Sequence, residues 1–426
     1  MYYDIVIVGG GAGGLELAAR LGRYFGKRRG AEKVLLIDRS VYHIWKPTLH
    51  EVAVGTLNPQ QEGLSYSILA RNNHFSFMPG DLIALDGAER RLTLAEVRDE
   101  KDGVLIPERD VRYGQCILAL GSGSNFFGTP GKENAYVLEH ALDAQRFQHH
   151  LLNLFAKAAY RDNRLLHVGI VGGGATGVEL AAEMMEAYRA IIKSTGSAQH
   201  FDIRITLVEA SPRLLNGLPE KVAQHAQTAL REKNITVLTD TKVIALHPDH
   251  IDSSAGEIPT DVIVWAAGIQ ASARNSQYGL DTNRMNQFVV DAHLRSSQEG
   301  IYAMGDCAAC PWQDGKTVPA RAQAAHQQAE YLYRVLRAQD KGQSYDKPFQ
   351  YRDFGSLISL GNNHGIGNLM GSLAGGSFFI EGLIAKYMYM SLHLAHHKAI
   401  LGYRKTALLA LARAAQNRVS GRLKLH

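Results

Sequence analysis

The chain has 426 residues, of which 46% are apolar and 20% are charged. This length and composition are typical of a globular protein with two or three domains, and they exclude a disordered or collagen-like chain. The 42 glycines, about a tenth of the chain, predict many tight turns or close approaches between backbone and ligand. Cys116, Cys307 and Cys310 are too few for a disulfide framework, which indicates a reducing compartment.

The net charge of +5 comes from the C-terminal segment. Residues 386–426 contain eight Lys and Arg and no Asp or Glu, which leaves 38 basic against 41 acidic residues in the rest of the chain. No run of 18 apolar residues occurs, so we expect no membrane-spanning helix. The N-terminus lacks the basic and apolar regions of a signal peptide, so we expect no secretion signal.

The N-terminus predicts a short buried strand, a glycine loop and a helix. The strand is DIVIV at residues 4–8, and the loop after it contains Gly9, Gly11 and Gly14 in a GxGxxG pattern. The next apolar run ends in Asp38. In this pattern the first glycine permits a tight turn, the second lets the backbone approach a diphosphate, and the third lets the helix pack on the strand. The acid at the next strand end binds ribose hydroxyls.

The same unit recurs about 163 residues further along the chain. A predicted strand at residues 167–171 precedes Gly172, Gly174 and Gly177, and the next predicted strand ends in Glu209. One such glycine pattern is weak evidence, because similar turns also serve packing alone. Two of them, each with a strand before it, a helix after it and an acid at the next strand end, predict two dinucleotide sites.

Three further apolar runs end in turns that contain glycine, at residues 116–120, 262–265 and 301–304. Because these strands alternate with helical stretches, we expect parallel sheets covered by helices. The predicted fold class is α/β, with two Rossmann-like dinucleotide-binding domains and a C-terminal amphipathic helical region.

Two dinucleotides on one chain suggest that electrons pass between them, with FAD at one site and a nicotinamide at the other. Glu209 favours NADH over NADPH, since a carboxylate repels a 2′-phosphate. Arg213 lies close to Glu209 in the sequence. Arg213 keeps NADPH as an alternative, because an arginine can bind the 2′-phosphate of that dinucleotide.

Several stretches of the chain match a known family. They are residues 7–17, 43–53, 170–183, 264–269, 301–308, 319–328 and 422–426. The most specific is AQAAHQ at residues 322–327, which matches the quinone-site pattern AQxAxQ of that family. On these residues the chain resembles the type II NADH dehydrogenases, the single-subunit NADH:quinone oxidoreductases that do not pump protons. It is most similar to the proteobacterial members, and the resemblance extends nearly end to end.

The resemblance implies where the cofactors bind. It assigns FAD to the first glycine loop with Asp38, and NADH to the second loop with Glu209. It places Thr48 near the isoalloxazine, and Gly305 and Asp306 against the FAD, with Asp306 near the ribityl and phosphate groups. We divide the chain into residues 1–125 and 286–385 for two parts of an FAD domain, 126–285 for an inserted NADH domain, and 386–426 for the tail.

The resemblance also implies three catalytic residues, Glu179, Gln323 and Gln327. In the family, Glu179 lies close to where nicotinamide and flavin meet; the alternative is a first-turn glutamate favoured by the helix dipole, and both can hold. Gln323 and Gln327 are four residues apart and share one helix face. In the family that face points at the flavin edge and the quinone head group, whereas the alternative is a pair of solvated glutamines.

The implied activity is the transfer of two electrons from NADH through non-covalent FAD to membrane quinone, without proton pumping. Disulfide reductases of this architecture are disfavoured, because residues 39–60 contain no cysteine pair. Sulfide:quinone oxidoreductases fit poorly, since Cys116 lies in a predicted strand and Cys307 and Cys310 are close in sequence. We expect Cys307 and Cys310 to be structural and expect no metal site. A non-catalytic NADH-binding flavoprotein is the alternative from another class, and the glutamine pair argues against it.

The basic tail predicts a membrane-binding surface. Six apolar positions between 400 and 414 cluster on one face of a helix, although Gly402 weakens that helix. With a lipid-dissolved quinone as substrate, this pattern indicates a peripheral anchor on anionic lipid, at the cytoplasmic face of a bacterial inner membrane. The alternative is a basic helix docked on the protein's own surface. The net negative charge of the rest of the chain argues against binding of nucleic acid. The sequence does not decide whether the protein forms a homodimer. We expect His393, His396 and His397 to lie on a solvated or interfacial face rather than to bind a metal.

Overall fold

The structure, a computed structural model, describes residues 1–99, 101–160, 165–194, 200–361, 365–370 and 377–419. Its helices are α1 (Ala12–Lys33), α2 (Leu49–Val54), α3 (Pro59–Glu62), α4 (Tyr66–Asn73), α5 (Ala141–Ala159), α6 (Ala175–Ser194), α7 (Glu220–Glu232), α8 (Ala322–Asp340), α9 (Gly382–Leu401) and α10 (Tyr403–Val419).

The strands alternate with these helices along most of the chain. Before α5 they are β1 (Tyr2–Val8), β2 (Val34–Asp38), β3 (Tyr42–His43), β4 (Leu64–Ser65), β5 (Ser76–Pro79), β6 (Leu82–Asp86), β7 (Arg91–Leu94), β8 (Val97–Arg98), β9 (Val104–Ile106), β10 (Arg109–Leu118), β11 (Gly123–Ser124) and β12 (Ala135–Val137). After α5 they are β13 (Leu165–Val171), β14 (Asp202–Val208), β15 (Thr236–Leu238), β16 (Val243–Leu246), β17 (His250–Ser253), β18 (Gly256–Pro259), β19 (Val262–Trp265), β20 (Ile269–Gln270), β21 (Phe288–Val289), β22 (Ile301–Ala303), β23 (Ala308–Ala309), β24 (Gly355–Ser359), β25 (Gly365–Met370) and β26 (Ser377–Glu381).

The larger sheet has seven strands, in the order β5-β2-β1-β10-β7-β6, with β22 beside the second half of β10. β5, β2, β1, β10 and β22 are joined in parallel, and β7 pairs antiparallel with β10 and β6. The central strand β1 is buried along its apolar run, as expected for a strand covered on both faces. Parallel strands bring Gly9, Asp38, Gly121 and Gly305 to the same carboxyl edge, where open α/β sheets bind ligands.

The second sheet has five parallel strands in the order β12-β19-β13-β14-β15. Its carboxyl edge carries Gly172, Glu209 and Gly268, which follow β13, β14 and β19. The parallel sheets covered by helices, predicted from the apolar runs, are therefore confirmed. The chain leaves the first sheet after β10 and returns to it at β22, and the domain boundaries themselves stay a prediction.

Two small antiparallel sheets were not predicted. One consists of β16, β17 and β18, and the other of β24, β25 and β26. Their strands have four to six residues each. They lack the long apolar runs that mark the parallel strands, so their pairing depends on contacts with the rest of the fold.

The tail forms two helices rather than one. Gly402 separates α9 from α10 and has a φ of 77°, which a helical residue does not adopt. Arg23 of α1 donates hydrogen bonds to the carbonyls of Ala399 (2.7 Å) and Ile400 (3.3 Å), which caps the end of α9. Among the described residues, no helix is both long and apolar enough to cross a membrane.

The inner face of α9 is buried, and the expectation of a solvated or interfacial histidine face was wrong. His396 and His397 are buried, and so is Ile400 one turn later. The ring of His393 stacks on Trp45, with centroids 4.8 Å apart. The sequence of α9 alone does not reveal this burial, because the side chains that bond to His396 lie more than 300 residues away.

Candidate functional site

The first glycine loop has the geometry that its sequence pattern predicts. Gly9 has a φ of 106°, and a Cβ atom there would lie 2.1 Å from the carbonyl oxygen of Ala119. A Cβ atom on Gly14 would lie 1.9 Å from the carbonyl oxygen of Gly9, so only glycine lets α1 pack this closely on the loop. At Gly11, by contrast, a Cβ atom would meet nothing within 4 Å. The loop thus packs tightly against the protein at Gly9 and Gly14. At Gly11, beside the N-terminus of α1, the space around the backbone is open.

The second loop repeats these features on the second sheet. Gly172 has a φ of 113°, and a Cβ atom on Gly177 would lie 1.9 Å from the carbonyl oxygen of Gly172. Gly174 has open space at its Cβ position, as Gly11 has. Neither α1 nor α6 has an acidic side chain in its first turn, so both helix N-termini suit an anionic group. Glu179 is the fifth residue of α6, so the alternative of a first-turn glutamate is wrong.

The acidic residue at the end of the second strand of each unit accepts a hydrogen bond from the glycine loop of the same unit. Asp38 accepts a hydrogen bond from the amide of Gly10 (2.6 Å), and Glu209 accepts one from the amide of Gly173 (2.6 Å). Each carboxylate accepts a second bond, 2.7 Å long, from the amide two residues later in the chain. Burial raises the pKa of Asp38, although these amides oppose the shift. The two units therefore agree in hydrogen bonding as well as in sequence.

Arg213 does not point into the second loop as a free cation. Its guanidinium donates to the carbonyls of Leu218 (2.9 Å) and Asn216 (2.9 Å). This arrangement supports the prediction that the site prefers NADH to NADPH. Arg213, the residue that could have bound the 2′-phosphate of NADPH, is hydrogen-bonded to backbone carbonyls instead.

Two residues predicted to bind FAD, Gly305 and Asp306, follow β22 at the carboxyl edge of the larger sheet. The hydroxyl of Ser122, in the turn after β10, donates to Asp306 Oδ2 (2.8 Å). Lys46 donates to the carbonyl of Ser122 (2.8 Å), which ties the segment before α2 to that turn. Thr48 is buried, and its hydroxyl donates to the carbonyl of Trp45 (2.8 Å). The amide of Gly305 donates to a side-chain oxygen of α8, Gln328 Oε1 (2.7 Å).

Glu179 of α6 is buried between α2 and β24. The amide of Ser359 donates to its Oε1 (3.0 Å), and His50 Nδ1 lies 3.6 Å from its Oε2. Burial raises the pKa of Glu179 to about 8, helped by the charges of Glu51 and Glu183 and opposed by the Ser359 amide. Burial lowers the pKa of His50 to about 4. At neutral pH the structure therefore holds a protonated carboxyl group beside a neutral imidazole.

Gln323 and Gln327 share one face of α8, and their amides bind one backbone segment. Gln323 donates to the carbonyl of Gly355 (2.9 Å) and accepts from the amide of Phe354 (3.2 Å). Gln327 donates to the carbonyl of Arg352 (2.9 Å) and accepts from the amide of the same residue (3.0 Å). The pair thus fixes the chain ahead of β24, and its assignment to a quinone site stays a prediction.

The sequence matches the family described as pyridine nucleotide-disulphide oxidoreductase over residues 3–329. It is 38% identical to a type II NADH:quinone oxidoreductase of Haemophilus influenzae, over 99% of this chain and the full length of that protein. The chain belongs to the type II NADH:quinone oxidoreductases. A Staphylococcus aureus protein of the same description is 25% identical, over 86% of this chain and 90% of its own.

Solved structures show the same fold. NDH2 of Plasmodium falciparum, solved in complex with NADH, superposes with a TM-score of 0.83 at 20% identity and covers 99% of both chains. A sulfide:quinone oxidoreductase of Aquifex aeolicus gives a TM-score of 0.73 at 16% identity, over 98% of this chain and 96% of that chain. The predicted α/β class with two Rossmann-like units is confirmed for this type II NADH:quinone oxidoreductase.

The residues of this oxidoreductase fit FAD at the first loop. The open position at Gly11 leaves room for a diphosphate at the N-terminus of α1, and Asp38 already orients the loop amide. Lys46 and Ser122 adjoin Asp306 on the same edge, where a ribityl chain needs polar partners.

The cysteines of this type II NADH:quinone oxidoreductase are buried, as the sequence predicted. Cys307 donates to the carbonyls of Met304 and Leu118, and burial raises its pKa to about 11. Burial raises the pKa of Cys310 to about 12. Thiols that stay protonated at neutral pH are poor nucleophiles and poor redox groups, which favours the structural interpretation.

A group of possible metal ligands lies away from both loops. His247, His250 and Asp252 approach within 4.8 Å of one another on the β16–β17 hairpin. His247 bonds to Asp252 (3.0 Å), and His250 bonds to Asp249 (2.7 Å). These bonds account for the arrangement of the side chains without an ion.

Sequence reasoning missed several residues of the site. Lys46 and His50 lie in the family stretch at residues 43–53 but were not singled out. Ser122 lies in a glycine-containing turn after a predicted strand. This position is the sequence feature that could have identified it as a site residue. Gln328 ends the family stretch at residues 319–328 and was not singled out either. Ser359 carried no signal, because its role depends on which distant element packs against it.

Proposed function

We propose that this protein oxidises NADH and passes two electrons through non-covalently bound FAD to a quinone, without pumping protons. The observation that carries the proposal is the duplicated unit of strand, glycine loop, helix and acid, on two sheets of one type II NADH:quinone oxidoreductase chain. FAD, when bound, supplies the redox chemistry that accepts hydride from NADH and gives electrons to quinone. The protein holds both dinucleotides and orients them.

Specific residues are proposed for each dinucleotide. The same edge geometry supports an FAD site at the first loop and an NADH site at the second. The FAD site consists of Gly9, Gly11, Gly14, Asp38, Thr48, Gly305 and Asp306. The NADH site consists of Gly172, Gly174, Gly177 and Glu209.

Glu179 is proposed to lie beside the nicotinamide and to hold a proton there at neutral pH. Because the Ser359 amide donates to Oε1, the proton belongs on Oε2, the oxygen on the side of His50. The neutral carboxyl group presents no negative charge to the anionic dinucleotide.

Gln323 and Gln327 are proposed to form part of the quinone site. Changing either residue to Leu is expected to slow reoxidation of the reduced flavin by quinone about tenfold or more, while reduction by NADH keeps its rate. Leucine cannot make the two backbone hydrogen bonds of each glutamine, each worth about 1 kcal/mol, so the segment Arg352–Gly355 shifts. Stopped-flow absorbance of the flavin measures both half-reactions on the purified holoenzyme.

Gln339→Leu is the matched control, because this exposed glutamine lies at the far end of the same helix and bonds to the hydroxyl of Tyr302. It should leave both half-reactions unchanged. If the Gln323 and Gln327 variants slow reduction by NADH instead, their assignment to the quinone site is wrong. If NADH does not bleach the wild-type flavin, or quinone does not restore its colour, the proposed function itself fails.

We further propose that α9 and α10 bind an anionic lipid surface, at the cytoplasmic face of a bacterial inner membrane. Large apolar side chains are exposed on both helices, while the inner face of α9 is docked on the protein. They are Leu383, Ile384, Tyr387, Met390, Leu392, Tyr403, Leu408 and Leu411. Lys398, Arg404 and Lys405 supply positive charge beside them, as an interfacial helix requires.

A double variant, Leu408→Glu and Leu411→Glu, is expected to weaken binding to phosphatidylglycerol vesicles at least 100-fold and to keep its FAD. Each leucine is about two-thirds exposed in the protein and contributes about 1.5–3 kcal/mol when buried. Co-sedimentation with vesicles measures the binding. Leu142→Glu, on α5, is the control, since this leucine is equally exposed and lies on the second sheet's domain. A double variant that still sediments with vesicles would contradict the lipid surface.

A further inference from the structure

A buried carboxylate joins three helices near the first glycine loop. Glu16 lies two residues after Gly14 on α1 and is only 1% exposed. Its Oε2 accepts a hydrogen bond from His326 Nδ1 of α8 (2.5 Å), and its Oε1 accepts one from His396 Nδ1 of α9 (2.7 Å). The same residue therefore contacts the helix with the glutamine pair and the helix with the exposed apolar face.

A second route leads from α9 to the loop itself. The other ring nitrogen of His396 lies 2.8 Å from His43 Nε2. His43 Nδ1 bonds to the carbonyl oxygen of Gly10 (3.0 Å), which also accepts from the hydroxyl of Tyr66 (2.7 Å). A continuous series of hydrogen bonds thus connects α9 with the glycine loop.

The hydrogen bonds determine the protons of this series. A carbonyl only accepts, so His43 Nδ1 carries a proton, and burial lowers the pKa of His43 so that its Nε2 stays unprotonated. His396 must then donate from Nε2. Burial opposes ionisation of Glu16, but the bonds from His326 and His396 lower its pKa overall. His396 thus joins the Glu16 carboxylate through Nδ1 and the His43 ring through Nε2.

Such a buried pair makes the two elements dependent on each other. Removing one partner leaves the other charged or polar group buried without its bond, which is strongly unfavourable. Other contacts of α9 would persist, including those of Arg23 with Ala399 and of Tyr389 with the carbonyl of Pro47. Loss of the pair should thus loosen the docking of α9 without unfolding the domain.

We propose that Glu16 and His396 couple the docking of α9 to the conformation of the first glycine loop, so that FAD retention depends on the docked tail helix. Both act as positioning residues, through the carbonyl of Gly10 and the N-terminal turns of α1. The inference rests on the proposed FAD site at the first loop. Coupling between two sites is reciprocal, so FAD must in turn stabilise the docked α9.

His396→Ala and Glu16→Ala are expected to raise the FAD dissociation constant about tenfold, within the usual range of such couplings. Glu16→Gln should restore FAD binding to within about threefold of the wild-type value, since an amide can bond to both imidazoles. The control is His397→Ala, because His397 is buried one residue further along and, among the described residues, hydrogen-bonds only to the His393 carbonyl of its own helix. Fluorescence of released FAD measures the dissociation constant.

Hydrogen exchange of the amides at residues 388–400 gives a readout that does not depend on activity. Exchange should accelerate in His396→Ala but not in His397→Ala, and also in the wild-type protein after FAD is removed. Equal loss of FAD from the His396 and His397 variants would show a packing effect only and overturn the coupling. Amide exchange at residues 388–400 that does not change when FAD is removed would also overturn the coupling. If Gly11→Val keeps its FAD, the proposed FAD site is wrong, and the inference fails with it.

Discussion

A Gly11→Val variant is expected to fold normally but to bind FAD about 10- to 100-fold more weakly than the wild-type protein. Gly11 has an extended backbone (φ −61°, ψ −173°) that valine also adopts, and a Cβ atom there meets nothing within 4 Å. The added methyl groups occupy the open side of the loop, where we place the diphosphate. Overpacking of this kind costs about 1–3 kcal/mol, and each 1.4 kcal/mol is about tenfold in affinity.

Flavin content after purification and titration of the apoprotein with FAD measure this effect. Gly217→Val is the control, because this exposed glycine also has nothing within 4 Å of its Cβ position. Gly14→Val should behave differently and fail to fold, since its Cβ atom would lie 1.9 Å from the carbonyl oxygen of Gly9. A Gly11→Val protein that binds FAD as tightly as the wild type would rule out the first loop as the FAD site.

Glu179→Gln is expected to stabilise the protein, by an amount that grows with pH. Burial raises the pKa of Glu179 from its usual 4.5 to about 8. Between these values the folded protein holds a proton that the unfolded chain has released, so wild-type stability falls as pH rises and levels off above about 8. Glutamine has no such proton. The free energy of unfolding of Glu179→Gln, relative to that of the wild type, should therefore grow by up to about 1.4 kcal/mol per pH unit across this window.

Thermal unfolding of the holoenzyme at pH 5, 7 and 9 measures the difference between the variant and the wild-type protein. Glutamine keeps the bond from the Ser359 amide, because its side-chain oxygen replaces Oε1. Glu220→Gln is the control, since Glu220 is exposed at the start of α7. Parallel curves of melting temperature against pH for wild type and Glu179→Gln would show that Glu179 does not hold a proton in the folded state.

The elements around both dinucleotide sites follow from local sequence. Strands β1 and β13 each end in a continuous apolar run, and the glycines after them stand where the backbone needs a positive φ or a close contact. Asp38 and Glu209 end the next strands, and a parallel sheet then brings each acid to its loop. Such features are predictable because each depends on a few consecutive residues and on one rule of parallel sheets.

The tertiary structure alone decided what the polar side chains contact. Glu16 and His396 are 380 residues apart, and nothing near either residue in the sequence indicates the other. The amides of Gln323 and Gln327 bind Arg352–Gly355, a segment whose position depends on the antiparallel sheet of β24, β25 and β26. The tail histidines are buried because α9 packs on α1, although the sequence of α9 suits a solvated helix equally well. Periodicity reports which face of an element is apolar, but only the packed fold supplies the partner of a buried polar group.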